Sequence, residues 1–229
     1  MIILGIETAT QRVGCALGGY EGVLASFSST RGRQHAETLV PAIEFVCRHG
    51  RIEMKEISAV AVDVGPGLFT GMRVGVATAK AMAQALRVPM IGLSSLDLLA
   101  FPVRHTDRLI AAVIDARRNE VFWALYKQVP GGVQRLTPYR ISGPNELASE
   151  LLARSEDTLA VGDGALRYRD ELGDVGGVDV AEIGFAYPSA SALVELAHPR
   201  AIREEFVQPW ELELLYLRKS DAEINRDPT

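Results

Sequence analysis

The chain has 229 residues, of which 48% are hydrophobic and 23% charged, and it can bury one large core or two modest ones. Its formal net charge of −5 argues against a dominant nucleic-acid groove, because such grooves are strongly basic. Its apolar stretches are shorter than a membrane span, so we expect no membrane association.

The cysteines and the N-terminal segment bear on the cellular compartment. Cys15 and Cys47 both lie among apolar neighbours, which indicates buried, reduced thiols. Segment 1–7 lacks the basic start of a signal peptide and is predicted to be a first strand. We therefore expect a cytoplasmic protein.

The first half of the chain alternates short apolar strands with helices. The predicted strands are 2–6, 13–17, 23–28, 59–64 and 88–92, and the predicted helices are 35–49, 72–87 and 94–100. The strand–helix–strand order of 59–92 favours a parallel sheet. Pro41 removes one hydrogen bond from helix 35–49, so we expect the first turn of this helix to be kinked or absent. Gly50 is the predicted stop of the same helix.

A glycine-rich turn, GPGLFTG at 65–71, separates strand 59–64 from helix 72–87. The N–H groups at a helix start can bind a phosphate. The glycine spacing fits neither the dinucleotide fingerprint nor the P-loop, and this mismatch favours a simple tight turn. Thr70 is the predicted N-terminal cap of the helix.

Helix 72–87 carries a wide arc of small and apolar residues, covering about two thirds of its circumference. Gly71, Gly75 and Ala79 recur at every fourth position, which lets another backbone approach closely. Two interpretations remain open for this helix. It is either buried deep in its own domain or held between its own sheet and a partner.

A polar, turn-prone segment at 102–107 suggests a boundary between an N-terminal domain, 1–105, and a smaller C-terminal domain, 106–229. The second half contains predicted strands 109–115, 120–127, 133–137 and 158–161 and predicted helices 145–153 and 189–198, while 174–180 is predicted to be a loop. Segments 2–17 and 109–125 share the order of apolar strand, acidic residue and hairpin. This similarity hints at a structural duplication.

The residues that could carry chemistry are few. The four histidines contain no pair at i, i+4 spacing, which argues against a zinc protease, and no G-x-S-x-G motif is present. Glu7, Asp63 and Asp115 follow predicted strands, where a carboxylate can hold magnesium or act as a base. A carboxylate in such a place can equally accept hydrogen bonds from loop amides.

Several segments together resemble the TsaB (YeaZ) family. They are IETAT at 6–10, QHA at 34–36 with LVP at 39–41, GPGLFTGMRVG at 65–75, IDARRNEVFW at 114–123, VGDG at 161–164 and YLR at 216–218. The resemblance runs nearly from end to end. It implies an α/β fold, namely the two-domain actin-like ATPase fold, which is ribonuclease H-like, with mixed sheets and a reduced second domain.

The same resemblance implies a function. TsaB proteins are the non-catalytic subunit of the bacterial complex that makes threonylcarbamoyladenosine in tRNA. TsaB binds TsaD, the catalytic paralogue, which transfers threonylcarbamoyl to an adenosine next to the anticodon, and the small ATPase TsaE docks on the pair. The chain would thus meet tRNA only indirectly. Because an uncovered apolar face is unfavourable in water, we expect a homodimer when TsaD is absent.

The family's contact with TsaD is a helical bundle that corresponds here to 36–49 and 71–87. The implied partner interface comprises Ala36, Leu39, Val40, Ile43, Phe45, Cys47, Gly71, Met72, Val74, Gly75, Ala79 and Met82. The implied vestigial nucleotide loops comprise Glu7, Thr8, Asp115, Gly162, Asp163 and Gly164.

The resemblance implies neither a metal site nor a resident cofactor. The histidine pair of TsaD is missing, since Leu39 stands four residues after His35. Whether a nucleotide binds at the partner interface is left open by the resemblance. Glu7 stands where many proteins of this fold have aspartate. The alternative function is an active nucleotide-dependent phosphotransferase of the same fold, using Glu7, Asp115 and the loop 162–164.

Overall fold

The computed structural model describes residues 1–30 and 35–218, which form two mixed β-sheets with helices packed on them. The first sheet has the order β3-β2-β1-β4-β5. Its strands are β1 Ile2–Glu7, β2 Val13–Gly19, β3 Gly22–Ser29, β4 Ile57–Asp63 and β5 Met90–Leu93. The strands β1 to β3 are antiparallel neighbours, whereas β4 and β5 run parallel to β1. The predicted parallel unit of 59–92 is therefore confirmed.

The second sheet has the order β11-β10-β6-β7-β8, and β9 also pairs with β7. Its strands are β6 Leu109–Arg117, β7 Glu120–Val129, β8 Gly132–Arg135, β9 Arg140–Ser142, β10 Thr158–Val161 and β11 Val178–Val180. The last strand lies in a segment that was predicted to be a loop. That prediction is wrong because the backbone of β11 pairs in parallel with β10, a long-range contact that a three-residue strand does not announce in its sequence.

The helices are α1 His35–Gly50, α2 Phe69–Leu86, α3 Ser95–Ala100, α4 Pro144–Arg154, α5 Asp163–Arg167, α6 Arg169–Gly173 and α7 Ala190–Ile202. None of the helices in the described ranges has the length and apolar character needed to cross a membrane.

Helices cover both faces of the first sheet because its strands are apolar on both sides. Leu4 and Ile6 of β1 pack in a core with α1 and α2. Ile3, on the opposite face of the same strand, packs in a core with Leu193 and Ala197 of α7. The helix α7 thus belongs to the first sheet, which corrects the assignment of all of 106–229 to the C-terminal domain. The approach of α7 to this face is close, since a Cβ at Gly5 of β1 would lie 2.9 Å from the Val194 side chain.

The second sheet is covered on one side by α4, α5 and α6, around the buried indole of Trp123. Its other side packs against α3, which joins the two sheets. Asp97 of α3 accepts hydrogen bonds from the hydroxyl groups of Tyr126 (2.8 Å) and Tyr139 (2.9 Å). Burial raises the pKa of Tyr139 to about 12, so this hydroxyl remains a donor at neutral pH.

Three predicted helix ends differ from the structure. The helix α2 begins at Phe69, so Thr70 lies inside it and is not its cap, and the preceding Leu68 donates its N–H to the Ala9 carbonyl instead (2.6 Å). The helix α1 is continuous from His35 and contains Pro41, so its first turn is present. It also runs through Gly50, and Arg51 adopts the left-handed conformation (φ 55°) that was expected of the glycine.

The buried side of α2 faces its own domain. Gly71, Gly75 and Ala79 are buried, and a Cβ at Gly71 would overlap the Thr8 carbonyl group. A Cβ at Gly75 would overlap the Thr8 side chain. The repeat of small residues therefore serves the close approach of α2 to the loop after β1. The structure thus places this repeat inside the domain, while contact of the exposed side of α2 with a partner stays a prediction.

We predict that Gly75→Leu destabilises the isolated chain by about 1–3 kcal/mol, because the new side chain must displace Thr8 from a packed interior. Ala77→Leu is the matched control, since Ala77 is exposed on the same helix, and it should change the free energy of unfolding by less than about 0.5 kcal/mol. Urea unfolding measures both variants. Equal stabilities would contradict the assignment of the glycine face.

Candidate functional site

Carboxylates follow adjacent parallel strands in both sheets, at their C-terminal edges. Glu7 ends β1 and Asp63 ends the neighbouring β4. Asp115 lies near the end of β6, and Asp163 follows the neighbouring β10. In sheets of this kind, ligands bind at the carboxyl ends of the strands. The structure therefore brings the predicted residues together as two acidic pairs, one in each half of the chain.

The first pair is sealed inside the protein. Glu7 is 0% exposed and Asp63 1% exposed. Glu7 accepts a hydrogen bond from the Ala9 N–H (2.9 Å), and Asp63 accepts from the Gly65 N–H (2.8 Å) and from the Ser95 hydroxyl (2.6 Å). Each carboxyl keeps one buried oxygen, Glu7 Oε2 and Asp63 Oδ2, without a hydrogen-bond partner among the described residues.

Burial shifts the protonation of this first pair. It raises the pKa of Asp63 to about 7, although the hydrogen bonds from Ser95 and Gly65 act in the opposite direction. Burial, followed by repulsion from Asp63, raises the pKa of Glu7 well above its usual range. The pair therefore retains protons at a pH where exposed carboxyl groups are ionised.

The loop after β1 is closed against the start of α2. The Thr8 hydroxyl donates a hydrogen bond to the Gly71 carbonyl (2.8 Å), and both residues are buried. His35 Nε2 lies 2.9 Å from the Thr10 carbonyl oxygen, which fastens the start of α1 to the same loop. Glu7 and Thr8 thus lie beneath the surface and do not line an open cleft.

The second acidic pair lies closer to the surface, and two arginines lie beside one of its members, Asp115. Asp115 accepts hydrogen bonds from the Arg117 N–H (2.9 Å) and guanidinium (3.0 Å), and the Arg167 guanidinium lies 3.7 Å from it. Asp163 accepts from the Asp115 N–H (3.0 Å). Burial raises the pKa of Asp163 to about 6. The roles of Arg117 and Arg167 were not predicted, since nothing in their local sequence indicates an ion pair.

The glycines of the predicted loop 162–164 pack closely against β6. Gly162 has φ 111° and lies so close to β6 that a Cβ there would overlap the Val113 carbonyl. A Cβ at Gly164 would lie 2.8 Å from the Ile114 carbonyl carbon. These glycines therefore allow α5 to lie close to β6, while a role of the loop in binding a nucleotide stays a prediction.

A small cavity of about 110 Å³ lies between the two halves of the chain. The turn 65–67 and the start of α2 form one wall, Asp115 and Arg117 form another, and the segment 215–218 closes it. Nucleotide-sized ligands occupy pockets of about 300–1,000 Å³. A nucleotide therefore does not fit this cavity, and the described residues contain no cluster of three or more metal-ligating side chains.

The sequence analysis did not predict that segment 215–218 closes the cavity. Leu215 donates its N–H to the Val64 carbonyl (2.8 Å), and the Tyr216 ring lies 5.4 Å from the Phe69 ring. Arg218 pairs with Glu120 of the second sheet (3.0 Å). The segment therefore connects both halves across the cleft. The amphipathic setting of 216–218 was the only feature of the sequence that pointed to a packed position for this segment.

The predicted partner interface divides into buried and surface residues. Those that are buried within the chain offer a partner little or no accessible surface, and their part in an interface stays a prediction: Leu39, Ile43, Cys47, Gly71, Met72, Gly75 and Ala79. The others are exposed or half-buried, and their part in an interface stays a prediction: Ala36, Val40, Phe45, Val74 and Met82. The apolar stripe of each helix that was assigned to the partner thus faces mainly its own sheet.

The raised pKa of Asp63 predicts a pH dependence of stability. The folded state binds a proton between Asp63's ordinary pKa of 3.8 and its folded value of about 7, so this carboxyl favours folding at acid pH and loses that contribution as the pH rises to 7. We expect the free energy of unfolding of Asp63→Asn, relative to the wild type, to increase over this range.

Denaturant unfolding at several pH values measures this difference. Asp107→Asn is the control, because Asp107 is exposed and lies outside both acidic pairs. An Asp63→Asn difference that does not vary between pH 4 and 7 would contradict a protonated carboxyl at this site.

Comparison with known proteins assigns a family to this arrangement. A family model described as "TsaD: tRNA N6-adenosine threonylcarbamoyltransferase" matches residues 20–167, more than half of the chain. The tRNA threonylcarbamoyladenosine biosynthesis protein TsaB of Bacillus subtilis (strain 168) is 34% identical over 138 residues, which are 60% of this chain and 60% of that protein. The chain thus spans three fifths of that relative's length.

Two further proteins are similar over nearly their whole length. The protein of the same name from Escherichia coli (strain K12) is 29% identical over 226 residues, 97% of this chain and 96% of that protein. The solved structure of YeaZ from Pseudomonas aeruginosa superposes with a TM-score of 0.82 at 26% identity, covering 94% of this chain and 99% of that chain. The predicted α/β class and two-domain actin-like fold with mixed sheets are thereby confirmed. The chain belongs to the TsaB (YeaZ) family.

Proposed function

We propose that this chain is a non-catalytic subunit in the biosynthesis of threonylcarbamoyladenosine in tRNA. It would bind a TsaD-type catalytic subunit, which transfers threonylcarbamoyl to the adenosine next to the anticodon. The names of the relatives from B. subtilis and E. coli support the pathway. The match to the TsaD family model supports a paralogous pair, since paralogues of one fold often assemble through equivalent surfaces.

The observation that carries the proposal is an apolar surface on the helices of the first domain. We call it the outer face, defined by Ala36 and Val40 of α1 and Ala77, Ala81 and Ala85 of α2. All five residues are exposed, Val40 at 51%. Small and apolar side chains in such positions permit close packing with helices of another protein.

The state of the acidic pairs supports a non-catalytic role. A catalytic group must touch a substrate, yet the Glu7 carboxyl is buried and the Thr8 hydroxyl is committed to Gly71. Asp115 is neutralised by two arginines, and the adjoining cavity of about 110 Å³ is too small for a nucleotide. These contacts engage, within the chain itself, the side chains that an actin-like ATPase would need for its reaction.

The alternative is an active nucleotide-dependent phosphotransferase. The observation that favours it is the position of Asp115 and Asp163 on adjacent parallel strands at the edge of the interdomain cavity. Catalysis would require Arg117 to release Asp115 and the segment 215–218 to withdraw. Each of these steps would break contacts of the folded chain.

The proposal extends to the wider assembly. The outer face would form a C₂ homodimer when TsaD is absent, because it offers the same apolar surface to a second copy. TsaE would dock on the TsaB–TsaD pair, and the transfer chemistry on tRNA would take place on the partner. A role in tRNA modification implies a cytoplasmic location.

We predict that Val40→Asp weakens binding to the TsaD-type subunit of the same organism by at least about tenfold, because it buries a charge in an apolar contact. Leu152→Asp is the matched control. Leu152 is likewise an exposed helical apolar residue, at 62%, but it lies on α4 beside the second sheet. Titration calorimetry measures both affinities, and equal affinities would exclude the outer face as the contact surface.

We also predict that the isolated chain neither hydrolyses ATP nor forms threonylcarbamoyladenosine above background. Purified wild-type protein and Asp115→Asn should give the same residual rate, because that rate then comes from contaminants. Turnover that persists through purification and disappears in Asp115→Asn would establish the phosphotransferase instead.

A further inference from the structure

A second surface feature lies at the C-terminal end of α2. It is a groove of about 540 Å³, which we call the Trp210 groove, and Gln84, Arg87, Pro89, Phe206, Pro209 and Trp210 contribute to its lining. The Trp210 side chain is 72% exposed. A tryptophan with this much exposed surface is unusual on a folded domain, and tryptophan is enriched at the centres of protein interfaces.

Both walls of the groove are held by backbone hydrogen bonds. On one side, Arg87 is left-handed (φ 58°) and closes the end of α2, and the Val88 N–H donates to the Ala83 carbonyl (3.0 Å). On the other side, Val207 and Met90 exchange two hydrogen bonds, each of 2.9 Å. The two walls of the groove thus lie on hydrogen-bonded backbone, which lowers the cost of ordering the site on binding.

The chemistry of the groove indicates the character of its ligand. Phe206, Pro89 and Pro209 offer apolar surface beside the indole. Arg87 is the single charged residue of this lining, and within the described parts of the chain it makes no ion pair. This composition suits a peptide segment that combines an apolar side chain with a carboxylate.

The position of the groove indicates which molecule supplies that segment. Ala77, Ala81 and Gln84 follow one another at i, i+4 and i+7 along α2, so they lie on one side of the helix. The first two belong to the outer face, and the third lines the groove. A protein that covers the outer face therefore reaches the groove without a break.

We infer that the Trp210 groove receives a short apolar segment with a carboxylate from the same protein partner that covers the outer face. The inference rests on the proposed function, because that partner is the TsaD-type subunit. The indole and the Phe206 ring contact the apolar part of the segment, and the Arg87 guanidinium pairs with its carboxylate. The groove thus adds a second anchoring point beyond the helical contact.

Titration calorimetry with the TsaD-type subunit tests the inference on the full chain. We expect Trp210→Ala to weaken binding by about tenfold and Arg87→Gln by about fivefold. Arg87→Gln should also reduce the dependence of affinity on salt, since it removes one charge pair. Trp210→Ala should leave the thermal midpoint unchanged, because its side chain is mainly in solvent.

The matched controls lie away from the groove. Ile202→Ala removes an exposed apolar side chain (62%) at the end of α7 that does not line the groove, and Arg169→Gln removes an exposed charge from α6. Both should bind within about twofold of the wild type.

The outcomes separate this inference from the proposed function. Normal affinity of Trp210→Ala, together with weak binding of Val40→Asp, would overturn the inference and leave the proposed function standing. Normal affinity of both variants would overturn the two together. If Trp210→Ala lowers only the self-association of the isolated chain, the groove serves a second copy, and the inference is also overturned.

Discussion

The close approach of α2 to the loop after β1 is the contact on which both the buried acidic pair of Glu7 and Asp63 and the outer face depend. It requires glycine at 67, 71 and 75, because a Cβ at these positions would overlap Ala9 or Thr8. The approach buries Thr8 against Gly71 and seals Glu7 beneath the loop. It also turns the alanines at 77, 81 and 85 towards solvent. One packing contact therefore both closes the first loop and presents the outer face.

The C-terminal part of the chain completes this arrangement from two sides. The helix α7 covers the face of the first sheet that α1 and α2 leave open. The segment after it pairs with Met90, buries Leu212 and then crosses to Glu120 of the second sheet. This segment also lines the cavity of about 110 Å³ between the two halves. It also holds the Trp210 groove beside the end of α2.

Two acidic pairs at equivalent places in the two halves have different electrostatic states. The Glu7 and Asp63 pair is isolated from solvent, so the cost of desolvation favours protons on it. Asp115 instead remains paired with arginines at the edge of the cleft. The contrast follows from the neighbouring charges, since Asp115 is also buried (6% exposed) but has the guanidinium groups of Arg117 and Arg167 beside it.

The sequence by itself determined the order of strands and helices in the first half of the chain, the strand-end position of the acidic residues and the family. Apolar runs such as 2–6 and 109–115 specify strands through local pattern, and motifs such as GPGLFTG and IDAR identify the family through residue order. These properties depend on neighbours along the chain. The small-residue repeat of α2 was likewise visible in the sequence. The sequence did not show whether this side of the helix faces its own domain or a partner.

Only the tertiary structure decided which surfaces each residue faces. Small residues at 71, 75 and 79 allow close approach by any backbone, and the loop after β1 supplies that backbone from more than 60 residues away. The return of α7 to the first sheet, the pairing of Asp115 with Arg167 and the groove beside Trp210 all join segments distant in sequence. Periodicity indicates that a helix has an apolar side, but packing against the rest of the chain decides which part of that side remains for a partner.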